Sequence, residues 1–223
     1  MSKKARLARQ ELFEFAGFRE EVAERLELDL AMVTPTINAL LRAGAIPCPR
    51  GDNSEALSID GAKILLAISS RQETPASVLR QSERLGAMML QAEVGDRKSA
   101  GQSDIFPKSQ SSFEADLAQM IRNLWRAAYG KSPDGFRAIA VSVLWKDNWG
   151  STLFGVIDQW EKGRTRRKRI YCTETFRLPT AISGNWDFIQ LPTVGGIVFS
   201  PLQLLRFYEL LDKGVEGTAA SLR

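Results

Sequence analysis

The apolar residues of this 223-residue chain change their spacing along its length, and the change separates a helical part from a part that carries strands. Up to about Leu90, and again from Phe113 to Ala128, they recur three and four residues apart, the repeat that lines one face of a helix. From Ala138 to Phe176 they alternate, in β-branched and aromatic segments parted by turn formers, the pattern of strands. Helices followed by a run of strands predict an α+β chain. An N-terminal all-α domain is expected at 1–92, a flexible linker at 93–110, and a small C-terminal domain of antiparallel sheet plus helices at 111–223.

Local signals fill in this outline. Helices are expected over Lys4 to Phe15, from Ser58 as N-cap to about Arg71, and from the N-cap and N1 pair Thr74-Pro75 to about Leu90. The stretch from Gln91 to Gln110 is polar and aperiodic, which predicts a linker. A capping box at Ser111 to Glu114 opens a helix through Ala128. Strands follow over Ala138 to Trp145, Ser151 to Trp160 and Arg167 to Phe176, with shorter ones near Trp186 to Leu191 and Gly196 to Phe199. Ser200-Pro201 then opens a last helix that Gly214 ends.

The stretch Phe18 to Pro47 carries the signature of a helix-turn-helix. Val22, Ala23 and Leu26 mark the inner face of a first short helix, and Asp29 can cap a second by accepting from backbone N–H groups that lack intrahelical partners. Leu30, Val33, Ile37, Leu40 and Leu41 line one side of that second helix and leave Thr34, Asn38 and Arg42 on the other, with Thr36 close by. These hydrogen-bonding side chains suit base edges and phosphates in a major groove. Glu27 stands where such a turn favours glycine. Pro35 either lies inside the second helix or marks a later start with Thr34 as N-cap, leaving about two and a half turns. Gly44 ends the helix, and Pro47 stops it continuing. A plain antiparallel helix pair is the bland alternative.

The run from Val33 to Pro47, followed by a polar loop and then LSIDGAKILLAISS at 57–70, resembles the N-terminal part of helix-turn-helix regulators of bacteriophages and prophages of alphaproteobacteria. There a recognition helix ending in an Ala-Gly turn precedes a Leu-Leu-Ala helix. The resemblance covers the first third of the chain and implies operator binding and control of phage or host transcription.

Composition narrows the remaining classes. The chain has no histidine, so the commonest general base and metal ligand is missing, and Cys48 and Cys172 show no ligand spacing. No catalytic residue, metal site or cofactor is expected, and the chain is read as a non-enzyme. No apolar run is long enough to span a membrane, and the first ten residues carry charges with no hydrophobic region after them, so a cytoplasmic protein is expected.

Net charge is only +4, yet six cations fall within Lys162 to Arg169. Arg164, Arg166, Arg167, Lys168 and Arg169 are therefore candidate phosphate contacts on a hairpin tip, as are Lys3, Lys4 and Arg6 in a second cluster with Arg9, and Arg50 in the loop after Pro47. The expected partners are double-stranded DNA, a second copy of the chain, and a transcription or replication protein. The alternative is an accessory protein that grips single-stranded nucleic acid through the basic, aromatic C-terminal hairpin, with Trp149 and Tyr171 stacking on bases.

Overall fold

The computed structural model describes residues 3–15, 17–47, 53–71, 74–95, 112–128, 136–145, 153–161, 166–173 and 195–221. Helices are α1 (Lys3–Glu14), α2 (Gly17–Leu26), α3 (Leu30–Arg42), α4 (Asn53–Ser69), α5 (Pro75–Gly86), α6 (Phe113–Ala128) and α7 (Pro201–Ser221). Strands are β1 (Met89–Gly95), β2 (Phe136–Trp145), β3 (Leu153–Glu161), β4 (Arg166–Cys172) and β5 (Gly195–Phe199). The five strands form one antiparallel sheet in the order β1-β4-β3-β2-β5. The α+β class is thus observed, with helices first and the antiparallel sheet and its helices after them.

Helix α4 is the centre of packing. Nearly every described side chain from Ala56 to Ser70 is buried, on all sides of the helix, as expected of a helix enclosed by others rather than laid on a surface. Gly61 sits where α4 meets α6 and α7: a β-carbon there would lie 3.1 Å from Leu211 and 3.8 Å from Ile121. Helix α1 reaches α4 through a fully buried ion pair in which Arg9 Nη1 donates to Asp60 Oδ2 at 2.8 Å. Such a pair adds little net stability, because both charges lose their water, but removing one partner is costly.

The sheet is joined to the helices through α6. Ser112 is its N-cap, its hydroxyl accepting from the Ala115 amide at 3.3 Å, one residue later than the expected Ser111 cap. Phe113, Leu117, Met120, Ile121 and Leu124 share one buried cluster with Ile139, Val141, Val143, Ile157 and Tyr171 of the sheet. Gly155 makes room for this contact, since a β-carbon there would lie 2.7 Å from the Phe113 ring, which packs on Tyr171 with centroids 4.9 Å apart. Beside them Asp116 of α6 accepts from Arg169 at 2.6 Å and from the Tyr171 hydroxyl, all three side chains being buried. Burial, and then the Asp116 carboxylate, push the Tyr171 phenol far above its ordinary range, so it remains a donor.

Several expected boundaries are corrected. Helix α4 begins at Asn53, five residues before the expected Ser58 cap, and Ser58 is buried within it. Helix α5 has the expected Thr74 cap but stops at Gly86, and Met89–Gly95 pairs with β4 instead of continuing as helix and linker. The boundary expected at 92 therefore falls inside a strand of the C-terminal sheet, and residues of both halves share the buried cluster. The physical reason is that pairing with β4 satisfies the backbone of this segment, in which Leu90, Ala92 and Val94 alternate with Gln91 and Glu93 in the period of a strand. Helix α7 passes Gly214 and runs to Ser221. The expected strand near Trp186 to Leu191 and most of the expected linker lie outside the described residues.

Candidate nucleic-acid interface

The two helices of the predicted motif are α2 and α3, and the turn between them is built from backbone hydrogen bonds. Leu28 N–H donates to Ala23 O at 2.9 Å and Glu27 N–H to Glu24 O at 3.2 Å, the paired bonds that close a helix on a left-handed residue. That residue is Glu27, with φ of 56°, so the turn takes the form glycine favours although a side chain stands there. Asp29 then caps α3, its carboxylate accepting from Ala31 N–H at 2.8 Å. Pro35 lies inside the helix, and the later start at Thr34 is not adopted. At the far end Gly44, with φ of 64°, closes α3 through the same pair of bonds, Ala45 to Leu40 and Gly44 to Leu41.

Helix α3 is divided lengthwise. Val33, Thr36, Ile37, Ala39 and Leu40 are buried, whereas Ala31, Pro35 and Arg42 are exposed and Thr34 and Asn38 half-buried between them. Thr34, Asn38 and Arg42 thus share an open face, as their spacing predicts. Thr36 is corrected: it is 3% exposed and donates its hydroxyl to Met32 O, because one residue beyond Pro35 turns it from the open face into the core. Leu30, expected among the inward residues, projects into solvent.

Asn38 has a neighbour that periodicity could not supply. Arg19 of α2 donates to Asn38 Oδ1 from both Nε, at 3.0 Å, and Nη2, at 2.7 Å, and from Nη1 to Phe15 O at 3.1 Å. The pairing crosses the turn, so it depends on how α2 and α3 cross and not on any short sequence spacing. Around it, exposed Glu20, Glu24, Glu27 and Asp29 make the α2 side of the motif acidic.

The motif is braced from behind by the C-terminal helix. Ser200 and Gln203 cap α7 reciprocally, Ser200 N–H donating to Gln203 Oε1 at 2.8 Å and Gln203 N–H to Ser200 Oγ at 3.3 Å. Gln203 Nε2 also donates to Leu26 O at 2.8 Å, filling a carbonyl that α2 leaves without an intrahelical partner. Arg25 Nη1 donates to Arg206 O at 3.2 Å beside it.

The basic strand meets a different fate. The cations from Arg166 to Arg169 lie in β4 itself and not on the hairpin tip. Arg169 points at α6 and is 2% exposed in its pair with Asp116, so it is removed from the candidate surface. Lys168, on the opposite face, stands 3.8 Å from Asp158 of the neighbouring strand. Side chains of Arg166 and Arg167, like those of Lys3, Lys4 and Arg6 at the start of α1, lie outside the described residues, as do Arg164 and Arg50 entirely. Arg9 of the same N-terminal cluster is buried against Asp60. No described helix is long and apolar enough to cross a membrane. No family model, curated protein or solved structure matches the chain.

Proposed function

We propose that the chain is a sequence-specific duplex-DNA-binding protein that presents α3 to the major groove, acting as a transcriptional regulator of the phage or prophage kind in the cytoplasm. The observation that carries this reading is the open polar face of α3, with Thr34, Asn38 and Arg42 displayed on a helix whose other side is locked into the core. A recognition helix needs that division: the buried side fixes its orientation, and the open side meets base edges. The acidic residues beside α2 repel phosphates, so the DNA backbone runs past the Arg42 end of α3 and not across α2. The single-strand alternative is weakened by burial of Arg169 and Tyr171, which can neither neutralise a phosphate nor stack on a base. A second copy of the chain is the natural partner, because paired half-sites multiply affinity.

The test is enrichment of bound sequences from a random duplex pool with the full chain, repeated with Thr34→Glu and Arg42→Glu combined. The expected outcome is a consensus with the wild type and none with the variant. Retention of single strands in preference to any duplex would replace this reading with the alternative.

A further inference from the structure

We propose that Arg19, rather than Asn38, is the residue of this face that reads a base, that the base is guanine, and that Asn38 is its positioning residue. The inference rests on the duplex-DNA reading above and names the specificity determinant within it. An asparagine that reads adenine must accept from the adenine amino group through Oδ1 while donating to N7. Here Oδ1 already accepts two charge-assisted bonds from Arg19, which fills the two lone pairs of that oxygen. The orientation of the amide follows from chemistry, since a guanidinium only donates and must face the oxygen.

Arg19 carries five N–H bonds, of which Nε and one on Nη2 go to Asn38 and one on Nη1 goes to Phe15 O. One N–H on each terminal nitrogen has no partner among the described residues. Two donors left on one guanidinium match the two acceptors O6 and N7 of guanine and mismatch adenine, whose amino group also donates. Three bonds hold the guanidinium before DNA arrives, so little side-chain freedom remains to be lost on binding.

The experiment uses the full chain and the duplex enriched from a random pool. Affinities are measured for that duplex, for copies in which each G·C step is exchanged for A·T, and for random duplex, with wild type, Arg19→Lys and Asn38→Asp. Wild type is expected to lose about 5- to 150-fold at one G·C step. Arg19→Lys, which keeps the charge but not the fork, abolishes that penalty and leaves affinity for random duplex within a few-fold. Asn38→Asp preserves the penalty, because the carboxylate still accepts the Arg19 fork. An undiminished penalty in Arg19→Lys, equal loss on cognate and random duplex, or a new base preference in Asn38→Asp each overturns the assignment while leaving the DNA reading intact. Should Arg19→Lys fail to melt cooperatively, the base preference of Asn38→Asp decides alone. If wild type enriches no duplex, the assignment falls together with the reading beneath it.

Discussion

The α3 face and strand β4 are both polar, hydrogen-bonding stretches, yet they use those side chains in opposite ways. On α3, Arg42 reaches solvent and Asn38 is engaged, among the described residues, by Arg19 alone, so the polar face stays available. On β4, Arg169 is withdrawn into a pair with Asp116 and Lys168 leans on Asp158, so these cations hold the sheet and its helix together. A run of like charges in sequence is therefore no measure of a charged surface, because strand alternation sends Lys168 and Arg169 to opposite faces, where Lys168 stands by Asp158 and Arg169 meets Asp116.

The largest effect expected from this contrast is at Asp116. Asp116→Ala removes the acceptor of both Arg169 and Tyr171 and should cost about 3–5 kcal/mol in denaturant unfolding. Arg42→Ala, on the open face, should change stability by less than about 0.5 kcal/mol. Similar costs at the two positions would erase the distinction between a structural and a displayed cation. Cutting the chain is as severe: residues 1–88 alone, without α6 and α7 against α4, should lack a cooperative melt by circular dichroism, whereas a sharp transition would restore an independent N-terminal domain.

An intermediate effect is expected at the brace. Gln203→Ala loses the reciprocal cap of α7 and the bond to Leu26 O, and should lower stability by about 1–2 kcal/mol. Hydrogen exchange of the α2 amides should quicken with it; unchanged protection there would detach α7 from the motif. A smaller gain is expected at Glu27, whose left-handed φ costs a side chain about 1–2 kcal/mol but costs glycine mainly its extra unfolded-state freedom. Glu27→Gly should therefore raise the melting midpoint slightly, and a lowered midpoint would show that the side chain earns its place, for instance through Arg206 at 4.0 Å.

The smallest effect is at Glu114, whose carboxyl is raised above its ordinary value of 4.5, first by burial and further by Glu83, against the pull of Lys63. A carboxyl raised in the folded state favours folding in its protonated form, and that contribution is lost as pH rises through the folded value. Glu114→Gln should thus match wild type in acid and exceed it at neutral pH. A gap that widens toward acid would reverse the sign and place a cation closer to Glu114 than burial allows.

Much of this was legible in the residues. The Asp29 cap, the Gly44 stop, the Thr74-Pro75 start and the whole of α6 follow from local chemistry, and the three central strands from alternation. What was hidden depends on contacts distant in sequence. Met89–Gly95 carries apolar residues at alternate positions, Leu90, Ala92 and Val94, but the strand that pairs with it, β4, lies far along the chain, and Ser58 is no cap because α4 gains more by extending its buried length. Arg169 and Arg9 looked like surface charge, since Asp116 and Asp60 lie dozens of residues away. The Arg19 contact with Asn38 likewise belongs to the crossing of two helices and has no spacing of its own.

The most direct test of the proposal that α3 carries DNA binding while β4 carries structure is a single paired measurement on Arg42→Glu. Its affinity for the enriched duplex is titrated at fixed salt, and its thermal melt is recorded beside wild type. Loss of about tenfold or more in affinity with an unchanged melt is the predicted result, since a displayed cation is turned against the phosphates without touching the core. Undiminished affinity with the same melt would contradict it and move the nucleic-acid contact away from α3.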